Sequence, residues 1–114
     1  MSISALMSRL MGGSSVAAIE HDDMVKAVET GQFYIADVRE PEEYASGHVA
    51  GAQNHPLSRF NPQDLPKTKP VILICQAGGR SARALQQAVA AGYDNVVHYA
   101  AGTGGWKARG GKVE

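Results

Sequence analysis

The chain has 114 residues, enough for one domain that buries roughly 65% of the surface its unfolded form exposes. Eleven basic residues balance eleven acidic ones, which leaves no electrostatic footprint for nucleic acid or an anionic membrane. The single cysteine excludes an internal disulfide and points to a reducing compartment, the cytoplasm. No apolar run is long enough to span a membrane, and a start with one basic residue and no continuous apolar core does not read as a secretory signal.

In chain order, Ile3, Leu6, Met7, Leu10 and Met11 fall at helical spacing, and Gly12-Gly13-Ser14-Ser15 breaks the pattern. Residues 1–15 therefore read as an amphipathic segment plus a flexible linker, with residues 16–114 as the domain. Such a short helix is marginal alone, so the expectation is docking, with a homodimer through residues 2–11 as one form of it. Residues 16–19 read as a short strand. His21–Thr30 follows as a helix, acidic in its first turn and stopped by Gly31. Residues 33–38 form the next strand and deliver Asp37 and Arg39 to its carboxyl end, where opposite charges make an ion pair. Glu40-Pro41-Glu42-Glu43 opens a helix that ends by Gly47, with proline in the first turn and carboxylates at the positive end. His48 and His55 flank a Gly-Ala turn and a short strand over 52–55. Neither has metal-ligand spacing to a Cys or carboxylate, so no metal and no cofactor is expected, and His48 reads as a lock on the turn. Asn61-Pro62 starts another short helix, and residues 66–70 are a loop.

Val71–Ile74 is wholly apolar and β-branched except for Leu73, the signature of a strand buried on both faces. It hands over to Cys75, then to Gln76, Ala77, Gly78, Gly79, Arg80 and Ser81. From Ser81 onward Ala, Leu and Gln predict a helix with Leu85, Ala88 and Val89 on one face and Gly92 as its stop. Residues 95–99 are the last strand, and Gly102, Gly104 and Gly105 bring backbone close before Trp106, an anchor for the last helix or a pocket wall. Strands alternating with helices over this length predict a parallel α/β sheet covered on both faces.

A lone cysteine on a Gly-rich loop, at the carboxyl end of a strand and the amino end of a helix, sits where open α/β sheets place their sites. The reactive species is the thiolate, and a free thiol with pKa near ~8.5 is only about 3% ionised at neutral pH. Lowering the pKa by about two units requires roughly 2.7 kcal/mol. A helix amino terminus supplies about 0.3–2 kcal/mol, and each backbone amide donated to an anion about 1.5–3. Gly78 and Gly79 let successive amides converge on one point, so the magnitudes suffice without a histidine. Arg80 adds positive charge or pairs with an acidic side chain, and Ser81 caps the helix or donates its hydroxyl to sulfur.

The segment Cys75 to Ser81 resembles the active-site loop of the single-domain rhodaneses, which are sulfurtransferases. Asp37-Val38-Arg39-Glu40-Pro41-Glu42-Glu43-Tyr44 with Gly47-His48-Val49-Ala50-Gly51-Ala52 resembles their first signature, and Gly102 with Trp106 their last. The sequence departs from that pattern at Ala50, where proline is usual, at Ala101, where glycine is usual, and at Gly111-Lys112, where Leu-Pro is usual. The resemblance implies a rhodanese-like α/β fold with five mostly parallel strands and helices on both faces. It also implies a Cys75 persulfide formed from a small anionic sulfur donor and passed to a thiol or a protein acceptor. On the same ground, residues 76–81 hold the persulfide, and Asp37, Arg39, His48 and Trp106 give structural support. Two other readings stay open: a non-enzymatic sulfur-relay or docking module, and a cysteine phosphatase or arsenate reductase of related fold. The last needs one more residue between cysteine and arginine to surround a tetrahedral oxyanion.

Overall fold

In a computed structural model of the chain, residues 17–114 are described. The amphipathic segment, its linker and any dimer contact through residues 2–11 lie outside the described residues. The elements in order are α1 (His21–Thr30), β1 (Tyr34–Asp37), α2 (Pro41–Ala45), β2 (Gln53–Asn54), two 3-10 turns (Leu57–Arg59 and Pro62–Asp64), β3 (Val71–Ile74), α3 (Gly79–Ala90), β4 (Val96–His98) and α4 (Gly102–Ala108).

The four strands lie in the order β2-β1-β3-β4, and every pairing is parallel. Every residue of β3 and β4 is buried, and so are the last three of β1. Alternate side chains point to opposite faces, so burial without alternation means both faces are covered. The chain steps one way from β1 through α2 to β2 and the other way from β3 through α3 to β4. Right-handed crossovers therefore put α2 and α3 on opposite faces. The core runs through Ile35, Ile72, Leu73, Val97 and Trp106, with Met24 and Ala27 closing it from α1.

Among the described residues four strands stand where five were expected. Ala18 makes a single parallel bridge to His98, flanked by Ile19 N–H to the His98 carbonyl (3.0 Å) and His98 N–H to the Ala17 carbonyl (3.0 Å). Residues 17–19 thus occupy the fifth position, beyond β4, but one bridge is too little ladder to make a strand, and Val16 lies outside the described residues. Two details of α3 also differ from the sequence reading. It begins at Gly79 with Gly78 as its N-cap, so Ser81 does not cap it; the left-handed turn at Gly78 starts the helix two residues early. Its buried face is Ser81, Ala84, Leu85 and Ala88, while Val89 is 50% exposed, since it falls one step beyond the face that meets the sheet.

β1 and β3 run in register from Tyr34↔Val71 to Asp37↔Ile74, so the two chains leave the sheet at the same edge. Asp37 accepts from the Arg39 backbone N–H (3.0 Å), Nε (3.0 Å) and Nη2 (2.8 Å), and Arg39 Nη2 also reaches the Gly47 carbonyl (2.8 Å). Both residues are buried. This many hydrogen bonds is what makes burying the pair tolerable, because unpaired charge there would cost several kcal/mol. α2 begins with a capping box in which Glu40 and Glu43 satisfy each other's backbone amides. Glu43 also receives Arg80 from α3 through both guanidinium nitrogens (2.6 and 2.9 Å), which ties the first motif to the cysteine loop. Behind the loop, Thr103 N–H donates to the Cys75 carbonyl (2.8 Å) and Gly104 N–H to the Gln76 carbonyl (3.2 Å).

Gly102 combines φ +69° with backbone so close that a Cβ would overlap the Gln76 carbonyl and the Ala77 nitrogen. Gly102→Ala is expected to cost on the order of 1–3 kcal/mol and to displace the cysteine loop. Chemical denaturation and the rate of Cys75 alkylation check this, and an unchanged alkylation rate would show the loop to be independent of α4. The Arg80 guanidinium lowers the Glu43 pKa from its ordinary 4.5 to about 2, against burial and with help from the Glu40 amide. A carboxylate depressed by folding adds stability that is present above its unfolded pKa and lost as pH falls through the folded one. Glu43→Gln should therefore melt lower than the parent near neutral pH, and the gap should close as pH falls from 4.5 to about 2. A gap of equal size at every pH would mean that this ion pair contributes nothing.

Candidate active site

Cys75 follows the last residue of β3 and is 1% exposed. Three polar groups converge on its sulfur: Gly78 N–H at 3.1 Å, Ser81 N–H at 3.3 Å and Ser81 Oγ at 3.6 Å. The convergence depends on backbone shape. Gly78 has φ +102°, and a Cβ there would overlap the Ala100 carbonyl, so both conformation and space demand glycine. Burial pushes the Cys75 thiol up, but the Ser81 hydroxyl and the amides of Ser81, Ala77 and Gly78 outweigh it and hold the thiol below its ordinary range. Hydrogen bonds to the anion thus win over desolvation, which is the condition for a reactive cysteine in a buried setting.

The loop over residues 75–80 presents Gln76, Ala77 and Gly79 to solvent, while Cys75, Gly78 and Ser81 are buried. Ala77 and Gly79 add little bulk to this rim. Arg80 faces Glu43 and is occupied by it, so its position is fixed and its charge is balanced. Asp37 and Arg39 lie at the neighbouring strand end and act through the backbone they hold, with Asn54 Nδ2 donating to the Asp37 and Arg39 carbonyls (3.1 and 2.9 Å). His48 stacks on Tyr44 with ring centres 3.8 Å apart, and its Nδ1–H donates to the Tyr44 carbonyl (3.0 Å). Trp106 is 2% exposed, meets Tyr99 edge-on and donates Nε1–H to the Lys112 carbonyl (2.9 Å). Neither His48 nor Trp106 is among the groups that hydrogen-bond the Cys75 sulfur. Among the described residues no cluster of His, Cys, Asp or Glu could hold a metal ion.

Two residues at this site were not singled out by sequence reasoning. Glu43, the anchor of Arg80, was visible only as a helix-opening carboxylate. His98 is buried at the end of β4, with Nδ1 2.9 Å from Ser81 Oγ. Its only sequence signal is a polar residue closing the apolar run Val96-Val97 at the carboxyl edge of the sheet.

The chain is similar to known proteins in sequence and in fold. An uncharacterized protein of Synechocystis is 42% identical over 78 residues, which are 67% of this chain and 44% of that protein, so the chain spans less than half of that relative. Thiosulfate sulfurtransferase 16 of Arabidopsis thaliana is 33% identical over 111 residues, covering 85% of this chain and 89% of its own length. The crystal structure of a rhodanese-related protein from Thermoplasma volcanium superposes with a TM-score of 0.76 at 30% identity, covering 85% of this chain and 96% of that one. Residues 20–109, including the whole cysteine loop and both flanking motifs, match the rhodanese-like domain, and the chain belongs to that family.

Proposed function

We propose that the protein is a sulfurtransferase that carries sulfane sulfur on Cys75. The observation behind this reading is the convergence on the Cys75 sulfur of two backbone amides that donate to it and the Ser81 hydroxyl beside them. In the first half-reaction the Cys75 thiolate attacks the outer sulfur of a donor such as thiosulfate. A new S–S bond forms, the donor's own S–S bond breaks, and sulfite leaves with the electron pair. In the second, an acceptor nucleophile attacks the outer persulfide sulfur, and the electron pair of the breaking S–S bond restores the thiolate. With cyanide the product is thiocyanate; in a cell the acceptor is a thiol or a protein. The loop amides replace water around an anion that changes from thiolate to persulfide and back.

Exposed Ala77 and Gly79, both small, border the loop on its solvent side and support an acceptor as bulky as a protein. The balanced Arg80–Glu43 pair supports a donor recognised chiefly by main-chain amides, with little long-range steering. The same pairing disfavours a phosphatase, whose arginine must turn toward the bound oxyanion. A single working thiol suits a reducing compartment, and the cytoplasm is the location proposed.

Incubation with thiosulfate should add the mass of one sulfur atom to the intact protein, and cyanide should remove it as thiocyanate. Cys75→Ser should lose both steps while keeping its melting temperature within a few degrees, since the oxygen is close to isosteric. Turnover in that variant would sink the mechanism. A parent that never gains sulfur from thiosulfate or mercaptopyruvate, yet binds a protein partner through the loop, would favour a docking module.

A further inference from the structure

Ser81 Oγ is a junction between three buried groups. It lies 3.6 Å from Cys75 Sγ, 3.2 Å from the Gly78 carbonyl oxygen and 2.9 Å from His98 Nδ1. A hydroxyl has one proton to give and two lone pairs to receive. The Gly78 carbonyl can only accept, and so can a thiolate. His98 is the one partner whose role is open, and that role decides what the sulfur receives.

With Nδ1 bare, the shortest contact takes the Ser81 proton, and the hydroxyl is turned away from the sulfur. With a proton on Nδ1, the ring donates to Ser81 Oγ, and the hydroxyl proton is left for the other two partners. In the thiol form Cys75 S–H donates to Ser81 Oγ, and Ser81 O–H donates to the Gly78 carbonyl. Once the thiol ionises, Ser81 O–H swings to the sulfur. Only the Nδ1–H form of His98 leaves Ser81 satisfied in both states.

We propose that His98 is a positioning residue for Cys75: its Nδ1–H donates to Ser81 Oγ and thereby presents the Ser81 proton to the Cys75 thiolate. The proposal rests on the reading of Cys75 as the nucleophile. The strand holds the ring in place, because the His98 N–H and carbonyl are bonded to the Ala17 carbonyl and Ile19 N–H while the next amide, Tyr99 N–H, reaches Leu73 on β3 (3.0 Å). Burial keeps the His98 pKa below the ordinary imidazole range, so the ring donates as a neutral tautomer and adds no charge beside the sulfur. The other ionisable groups around this chain of contacts are committed elsewhere. Arg80 is paired with Glu43, and His21 of α1 bonds the Tyr99 hydroxyl (2.8 Å).

The test reads the Cys75 thiol pKa from thiolate absorbance and from the pH dependence of alkylation. Ser81→Ala and His98→Leu should each raise it by about one unit, the size of one hydrogen bond to an anion. His98→Asn can offer an amide N–H near the position of Nδ1 and should keep most of the parent value. The double variant should shift no further than Ser81→Ala alone, because both act through one hydroxyl. Additive shifts, or an asparagine variant as impaired as the leucine one, would overturn the proposal. The tautomer can also be read in the unaltered protein from long-range 1H–15N histidine spectra, where a bare Nδ1 at neutral pH would overturn it even if a variant fails to fold. None of these readouts uses a sulfur donor. Failure to load sulfur would therefore count against the sulfurtransferase reading and leave the role of His98 standing.

Discussion

A buried sulfur that accepts hydrogen bonds from main-chain amides is only as well placed as the main chain around it. At Cys75 the loop curls because Gly78 adopts a backbone conformation that side chains disfavour, and it stays curled because it lies directly on the backbone that follows β4. The main-chain bonds from residues 103 and 104 hold it from behind, and the Arg80–Glu43 pair holds it from the side. The rest of the domain serves those three restraints. The sheet brings the ends of β1, β3 and β4 to one edge, and the helices on either face stop the strands from sliding.

The competition at the sulfur is between desolvation and hydrogen bonding. Burial alone would keep Cys75 protonated and inert, the ordinary fate of a lone cysteine in a core. Several donors gathered at one atom reverse that outcome, since each donor to an anion is worth about 1.5–3 kcal/mol and the backbone amides among them need not be reoriented when charge appears. Arg80 takes little part in this balance. Its strongest partner is Glu43, and its value lies in where it fixes the loop.

Much of this was legible in the sequence, because it rests on local rules. The apolar run Val71–Ile74 marks the central strand, Gly31 the end of α1, and Pro41 with Glu43 the start of α2. The cysteine, its glycines and the neighbouring arginine and serine declare the loop. What stayed hidden depends on contacts across the fold. Glu43 and Arg80 are 37 positions apart, Ser81 and His98 are 17 apart, and no periodicity links either pair. The N-cap was misplaced because Ser81 is a good capping residue by type, while the backbone chose the left-handed turn at Gly78. The fifth strand shrank to a bridge because residues 17–19 meet the sheet at one point only.

The face that α3 buries also governs how the loop can change in size. Ala84, Leu85 and Ala88 fix the rotation of that helix against the sheet. One residue added to the helix itself would turn this face by about 100° and pull it from the core. An insertion between Cys75 and Arg80 therefore cannot be passed along the helix. It has to bulge outward at Gln76 and Ala77, where the chain already meets solvent, leaving the sulfur, the helix and the sheet where they are. The width of the anion cradle is thus separable from the stability of the domain. A fold built this way can be refitted to a larger anion by lengthening one loop, with no repacking beneath it.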